Sequence, residues 1–382
     1  MKSDPTVAET HAETLAACVT VDDFEVAARA RLSAMTYDYY RSGADEEHTL
    51  RRNRDAWTTY ELWYRALVDV TSPRLATSVL GTAVPSPILI APTAYHALAD
   101  AGGECATARA AASAGTLYVA STLATTTLED VAAAAPGAPR WFQLYVHTDR
   151  EFTAKLVARA KAAGYGGIVV TCDTPVLGRR CADVRNGFGL PAGLVMANLV
   201  DILPPDLRAG AGSELARFVA SRHDPAFTWK DLATLADLCA PLPLVVKGLV
   251  RGDDARAALD HGARAVWVSN HGGRQLDLAP ATADALVEVL EAVAGRAEVY
   301  VDGGIRSGTH ALIALGLGAR AVFVGRPILW GLGAAGEAGV ARVLALLDEE
   351  LIRAMQLSGC ADAAAIPRDL VRRSCQPRLL RP

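Results

Sequence analysis

From Pro87 onward, short and nearly continuous apolar runs alternate with longer stretches in which apolar residues recur at helical spacing. The runs are Ile88–Ala91, Leu117–Thr122, Trp141–Val146, Ile168–Asp173, Leu244–Gly248, Ala265–His271, Glu298–Gly303 and Ala321–Gly325. Strands without polar alternation suit a parallel sheet buried on both faces. Parallel neighbours need long crossovers, and helix-opening residues stand where these would begin: Thr148-Asp149, Gly252-Asp253-Asp254 and Ser307-Gly308-Thr309. Eight β/α rounds predict an α/β fold, a closed (β/α)8 TIM barrel.

Outside the repeat, Val21 to about Leu80 predicts an N-terminal helical extension of one or two helices plus an irregular segment. The longest gap, Arg180 to about Thr228, follows strand four; a long loop there is either a functional cover or a disordered insertion. Residues 1–20 lack the unbroken apolar core of a secretory signal and read as a flexible tail. Residues 366–382, basic and proline-bearing, read as a second tail. A single domain, 21–365, is expected between them.

Composition narrows the class. The 382 residues are 51% hydrophobic and 21% charged, enough to bury a large core. A net charge of −4 gives no electrostatic reason to bind nucleic acid or an anionic membrane. The apolar runs singled out are far shorter than the ~20 residues that span a bilayer, so no membrane span is expected. Seven scattered cysteines form no CxxC pair or metal-ligand cluster, so the expected setting is a reducing cytoplasm, with no structural disulfide and no metal.

In a barrel the loops after the strands converge on one mouth, and here the strand ends are polar. They carry Ala94 after strand one, Gln143 and Tyr145 on strand three, Thr171 and Asp173 on strand four, and Lys247 on strand five. Strand six ends Ser269-Asn-His271-Gly-Gly-Arg274, strand seven Asp302-Gly303-Gly-Ile-Arg306, and strand eight Gly325-Arg326. Glycine backbone, helix starts and guanidinium groups on the last two loops predict a phosphate site. Lys247 could stabilise a developing anion. His271 can accept a proton, Arg274 can hold a carboxylate through paired hydrogen bonds, and Asp173 can favour the imidazolium.

These residues resemble the FMN-dependent 2-hydroxy-acid oxidase and dehydrogenase family over about Tyr37 to Cys360. The resemblance is carried by Tyr37-Asp-Tyr-Tyr40, Gln143-Leu-Tyr145, Thr171-Cys-Asp-Thr-Pro175, Ser269-Asn-His-Gly-Gly-Arg-Gln-Leu-Asp277 and Asp302-Gly-Gly-Ile-Arg306. It implies FMN as cofactor, His271 as base with Asp173 as its charge partner, and Arg274 and Arg180 holding the substrate carboxylate. Tyr39 and Tyr145 would bind the carboxylate or the reacting hydroxyl. Lys247 would lie beside the flavin, Ala94 would approach it through the backbone, and Ser121, Gln143, Thr171 and Ser269 would give flavin or nearby polar contacts. Asp302, Gly303, Arg306, Gly325 and Arg326 would hold the ribityl-phosphate end. It further implies oxidation of an L-2-hydroxy acid to a 2-oxo acid, oxygen or another acceptor as partner, hydrogen peroxide where oxygen serves, and a homotetramer or larger assembly. Leu123 stands where glycolate-oxidising relatives have tryptophan, so a medium-chain or aromatic, mandelate-like substrate is expected. Ala94 points weakly to the oxidase branch.

The alternatives at this stage are an acceptor-dependent dehydrogenase, an FMN barrel with nucleotide-oxidising or isomerising chemistry, and a noncatalytic FMN-binding protein. No haem-binding domain is expected ahead of the barrel. The last two readings leave His271, Arg274 and Arg180 without a task.

Overall fold

The computed structural model describes residues 7–203 and 221–374. Eight parallel strands close in chain order: β1 (Ile88–Ile90), β2 (Tyr118–Ser121), β3 (Arg140–Leu144), β4 (Ile168–Thr171), β5 (Leu244–Leu249), β6 (Ala265–Val268), β7 (Glu298–Val301) and β8 (Ala321–Val324), which pairs back with β1. Alternate residues serve two cores, as the pleat requires. Leu89, Val119, Trp141, Val169, Val245, Trp267, Tyr300 and Phe323 fill the barrel, with the Trp267 and Phe323 rings stacked 3.7 Å apart. Ile90, Phe142, Val170, Val246, Val266 and Val322 face the helices. An antiparallel hairpin, Thr77–Val79 with Thr82–Val84, adds Val79 and Val84 to the interior cluster and closes the end where the strands begin. The opposite mouth, where they end, is left for chemistry.

The helix starts are capped as their sequences require. Asp149 accepts from Phe152 N–H at 3.0 Å, and Ser307 from His310 N–H at 3.2 Å. In the ladder, β5 shifts register between Lys247 and Leu249 at Gly248, whose φ is +110°. A Cβ there would lie 2.8 Å from Asp173. The irregularity therefore needs glycine, and it brings the end of β5 against the carboxylate at the end of β4.

Three expectations about the periphery are corrected. The segment read as an N-terminal tail contains a helix, Val7–Ala17, and Thr20 and Asp23 form a reciprocal capping box opening the next, Val21–Arg31, with Cys18 and Val21 buried. The extension then continues through Ala34–Arg41 and His48–Trp57, more helix than expected. The basic tail likewise begins later: Val371–Arg373 pairs antiparallel with Tyr60–Leu62, anchored by buried Leu370 and Val371. Residues 375–382 lie outside the described residues. Apart from these, Arg326–Ser358 is long and apolar enough by length and composition to cross a membrane, unlike the short runs considered in the sequence. It is broken at Ala335–Gly336, and 72% of its apolar window is buried against the rest of the fold, which is how a core helix is placed.

Burial of imidazoles gives the fold an acid-side weakness. His147, His223 and His310 are each pushed down to about 4 by burial, from an ordinary 6.5. Between those values the unfolded chain binds more protons than the native one, so stability is lost as pH falls from 6.5 toward 4. The slope is up to about 1.4 kcal/mol per pH unit for each histidine. Asp348, raised by burial to about 6, acts in the opposite sense below that pH and offsets part of the loss. Thermal unfolding midpoints should drop between roughly pH 7 and pH 5, and His147→Phe should flatten the drop. An unchanged slope in that variant would mean His147 does not titrate with folding.

Candidate active site

The mouth holds a cavity of about 520 Å³. Around its floor the strand-end polar groups bond side to side in strand order. Ser121 Oγ donates to Gln143 Oε1 (3.2 Å), and Gln143 Nε2 donates to Thr171 Oγ1 (3.0 Å). Lys247 Nζ donates to Ser269 Oγ (3.0 Å), and Ser269 Oγ donates to Asp302 Oδ1 (2.8 Å). Lys247 is only 4% exposed; burial opposes its charge, yet Asp302, whose Oδ2 is 3.4 Å away, and Asp173 outweigh that and raise it above the usual lysine range. A fixed ammonium therefore sits in the floor.

His271 lies beside it with positive φ (+57°), Nδ1 2.7 Å from Asp173 Oδ1. Asp173 accepts a hydrogen bond from Nδ1–H, which assigns the neutral tautomer and leaves the Nε2 lone pair available. Burial pushes His271 below its ordinary value; Asp173 pulls the other way, while Lys247 and Arg180 add to the lowering. Asp173, despite its own burial, is held ionised by His271 and Lys247 and by hydrogen bonds from His271 and Thr174. The pair rests as neutral imidazole beside carboxylate, the state of a base ready to accept a proton.

Two anion sites border this base. On one side are Arg180 and Arg274, with Tyr39 and Tyr145. Arg274 Nη1 donates to the Tyr39 and Ser42 carbonyls (2.6 and 2.9 Å), its guanidinium packs 4.9 Å from the Tyr39 ring centre, and burial followed by Arg180 lowers it to about 10. Toward the other end lie Gly303, Gly304, Arg306, Gly325 and Arg326. Arg306 is lowered to about 10 by burial and then by Arg54, and its Nε has no partner among the described residues. Buried guanidinium groups pushed this way are completed by an anion. Compact phosphate at one end, fixed ammonium and amide along the floor, and carboxylate at the other match the functional groups of FMN and a small acid.

Most residues singled out in the sequence meet here: Tyr39, Ala94, Ser121, Leu123, Gln143, Tyr145, Thr171, Arg180, Lys247, His271, Arg274, Asp302, Gly303, Arg306, Gly325 and Arg326 all line the cavity. Asp173 and Ser269 stand behind the wall. Ser269 is fully buried and its oxygen also accepts from His271 N–H (3.1 Å), so it supports the floor rather than forming its surface. Further residues contribute. Tyr95 and Phe188 form an aromatic wall with Tyr39, the Tyr39 and Phe188 rings stacked at 4.1 Å. Asp183 lies 3.7 Å from Arg180 at helical spacing, a signal present in the sequence. Asn53 and Asn270 exchange side-chain amide bonds of 2.8 Å each, and Asp277 accepts from the His48 and Thr49 N–H groups, seating the N-terminal extension on the β6 loop.

An eight-stranded barrel whose mouth combines a base, a carboxylate-ready arginine pair and a phosphate-ready end defines a class of flavin-dependent oxidoreductase. The pattern of the family described as FMN-dependent dehydrogenase matches residues 28–373. The chain is 49% identical over 359 residues to human 2-hydroxyacid oxidase 1, covering 93% of this chain and 97% of that protein. It is 51% identical over 347 residues to L-lactate oxidase of Nostoc sp., covering 90% and 95%. A solved structure of mandelate oxidase with (S)-4-hydroxymandelic acid superposes with TM-score 0.87 at 41% identity, covering 92% and 98%. The chain belongs to the FMN-dependent dehydrogenase family, and it is an FMN-dependent oxidoreductase.

The two phosphate-end arginines should differ on mutation. Arg326 donates to the carbonyls of Tyr40, Gly272 and Ser42 at 2.8–3.0 Å, so it also holds the extension to the β6 loop. Arg306→Ala should raise the FMN dissociation constant on the order of tenfold or more while leaving the FMN-free unfolding midpoint nearly unchanged; Arg326→Ala should do both kinds of damage. Flavin fluorescence on dilution and thermal unfolding read the two effects, and equal destabilisation of the two FMN-free proteins would refute the division.

Proposed function

We propose that this enzyme oxidises an L-2-hydroxy acid to the 2-oxo acid with dioxygen as acceptor, giving hydrogen peroxide, and that it favours a substrate bulkier than glycolate. The overall change, RCH(OH)COO⁻ + O2 → RCOCOO⁻ + H2O2, balances in atoms and charge. The observation that carries the reading is His271, backed by Asp173 at 2.7 Å, in the same cavity as Arg180 and Arg274.

FMN, when bound, supplies the two-electron acceptor. Arg306 and Arg326 would hold its phosphate with the Gly303 and Gly325 loops and Asp302; Lys247 would give it a fixed counter-charge, with Gln143, Ser121, Thr171 and the Ala94 backbone along its ring. Arg180 and Arg274 would fix the substrate carboxylate, leaving the carbon that bears the hydroxyl facing His271. Tyr39 and Tyr145 keep their protons, because burial first, and Asp173 next for Tyr145, raises both phenols; they would act as hydrogen-bond donors. His271 Nε2 takes a proton from the substrate, and Asp173 stabilises the resulting imidazolium. Leu123, Tyr95, Phe188 and Met196 offer the side chain of the acid an apolar wall. The relatives named as oxidases support oxygen as the acceptor, and those named for lactate and mandelate support a side chain longer than that of glycolate.

Three measurements test this. His271→Ala should retain FMN but lose anaerobic flavin reduction by substrate by about 10⁴-fold or more; near-normal reduction would assign the base elsewhere. Stopped-flow reoxidation of the parent in air should be fast and yield peroxide, whereas negligible reaction beside rapid quinone reduction would make it a dehydrogenase. Each added buried methylene contributes about 0.8 kcal/mol, so kcat/KM for 2-hydroxyoctanoate or mandelate should exceed that for glycolate by tenfold or more, and Leu123→Trp should reverse the order. A parent that prefers glycolate, or an unchanged profile in the variant, would sink the size argument.

A further inference from the structure

The long connection after β4 returns to the barrel beside the end of β3. Thr148 N–H donates to Arg222 O (2.9 Å) and Asp224 N–H donates to Val146 O (3.0 Å), which sets His147 opposite His223 in a single antiparallel bridge. Two backbone bonds fix this return loosely, so the side chains decide how it seats. The His223 ring lies nearly flat on the Tyr145 ring, centroids 4.4 Å apart and planes 22° from parallel. Its other neighbour is His147, edge-on at 5.9 Å, and His147 is edge-on to Phe152 at 5.1 Å. The imidazoles are 1% and 4% exposed; among the described residues the His147 ring has no hydrogen-bond partner, and the one polar group set against His223 for hydrogen bonding is the Thr174 backbone.

A buried imidazole so sparsely hydrogen-bonded costs more than an apolar ring, so its ring contacts must account for part of its place here. A flat ring that can stack is what the site uses. Tyr145 is the residue stacked upon, and the charges that act most on its hydroxyl are Asp173 and Arg180, groups of the candidate active site. His223 also lines the cavity, where the Thr174 backbone and the His271 imidazole face it. Nothing else among the described residues stacks on Tyr145.

We propose that His223 is a positioning residue: its ring, laid on that of Tyr145, holds the Tyr145 hydroxyl toward the substrate, so that the site is complete only when the return at residues 221–224 is seated. This rests on the role given above to Tyr145. The stack is worth about 0.5–1.5 kcal/mol in general, which as a loss of alignment corresponds to a roughly three- to tenfold effect.

The test is a double-mutant cycle on the FMN-loaded enzyme with 2-hydroxyoctanoate and L-lactate as probes. His223→Ala should lower kcat/KM by about three- to tenfold, and His223→Phe, which keeps a flat ring, should restore most of it. With Tyr145→Phe already present, His223→Ala should cost less than about twofold more, because the hydroxyl it aligns is gone. The proposal is overturned if His223→Phe is as impaired as His223→Ala, or if the full loss persists in the Tyr145→Phe background. Tyr145→Phe with parental kinetics would instead remove the role assigned to Tyr145, and the proposal with it. Should His223→Ala fail to hold FMN, His223→Leu provides a ring-free side chain of larger volume for the same cycle.

Discussion

A lysine ammonium taken almost wholly out of water is the constraint on which the mouth of this barrel depends. Isolated, such a charge is costly to bury; here Asp302, Ser269 and Asp173 offset the cost, and the Trp267 ring face lies 5.6 Å from Nζ. The same charge then acts outward. With burial it keeps His271 neutral, and it helps keep Asp173 ionised. Base and counter-ion are thus set by one arrangement of three strand ends, β4, β5 and β6 with its loop, and the β5 irregularity at Gly248 is what lets Asp173 come close enough to share in it.

The rest of the molecule holds that arrangement still. Nearly every residue of the Ser269–Asp277 stretch is engaged across the chain: Ser269 under Lys247, Asn270 to Asn53, His271 to Asp173, Arg274 to the Tyr39 and Ser42 carbonyls, Gln275 to Asp173 O and Val176 O, and Asp277 to the start of His48–Trp57. Arg326 adds a clasp between the same extension and Gly272. The N-terminal helices are therefore part of the site: they deliver Tyr39, and this segment supplies the Tyr39, Tyr40 and Ser42 carbonyls that orient Arg274 and Arg326. In such a design, binding energy and folding energy would share side chains, which is why Arg326 is expected to serve both and Arg306 mainly the first.

Much of this was legible residue by residue. The strand runs were readable because parallel barrel strands are apolar on both faces, and the polar residues at their ends because the fold turns order along the chain into a ring around one mouth. The peripheral ends were misjudged because their anchors are local and sparse: the Thr20–Asp23 box and two buried residues, Leu370 and Val371, in an otherwise basic stretch. The core helix Arg326–Ser358 escaped notice as a long apolar element because its run is diluted by glycines and charged positions, and only packing shows which faces are covered.

By itself, then, the sequence determined the barrel, the order of the chemical groups around its mouth and the residue types proposed for the phosphate end, the base and the carboxylate site. These follow from periodicity and position relative to a strand end, which are properties of the chain. Tertiary structure alone decided which of those groups form the cavity surface and which stand behind it, as Ser269 and Asp173 do, and which distant partners complete them. Asn53 meets Asn270 across 217 positions, and His223 lies on Tyr145 from the far end of a long connection. The protonation state of His271 belongs to the same category. Charge interactions and ring stacking depend on separations of a few ångströms and on the water excluded between the partners, and only packing sets those quantities.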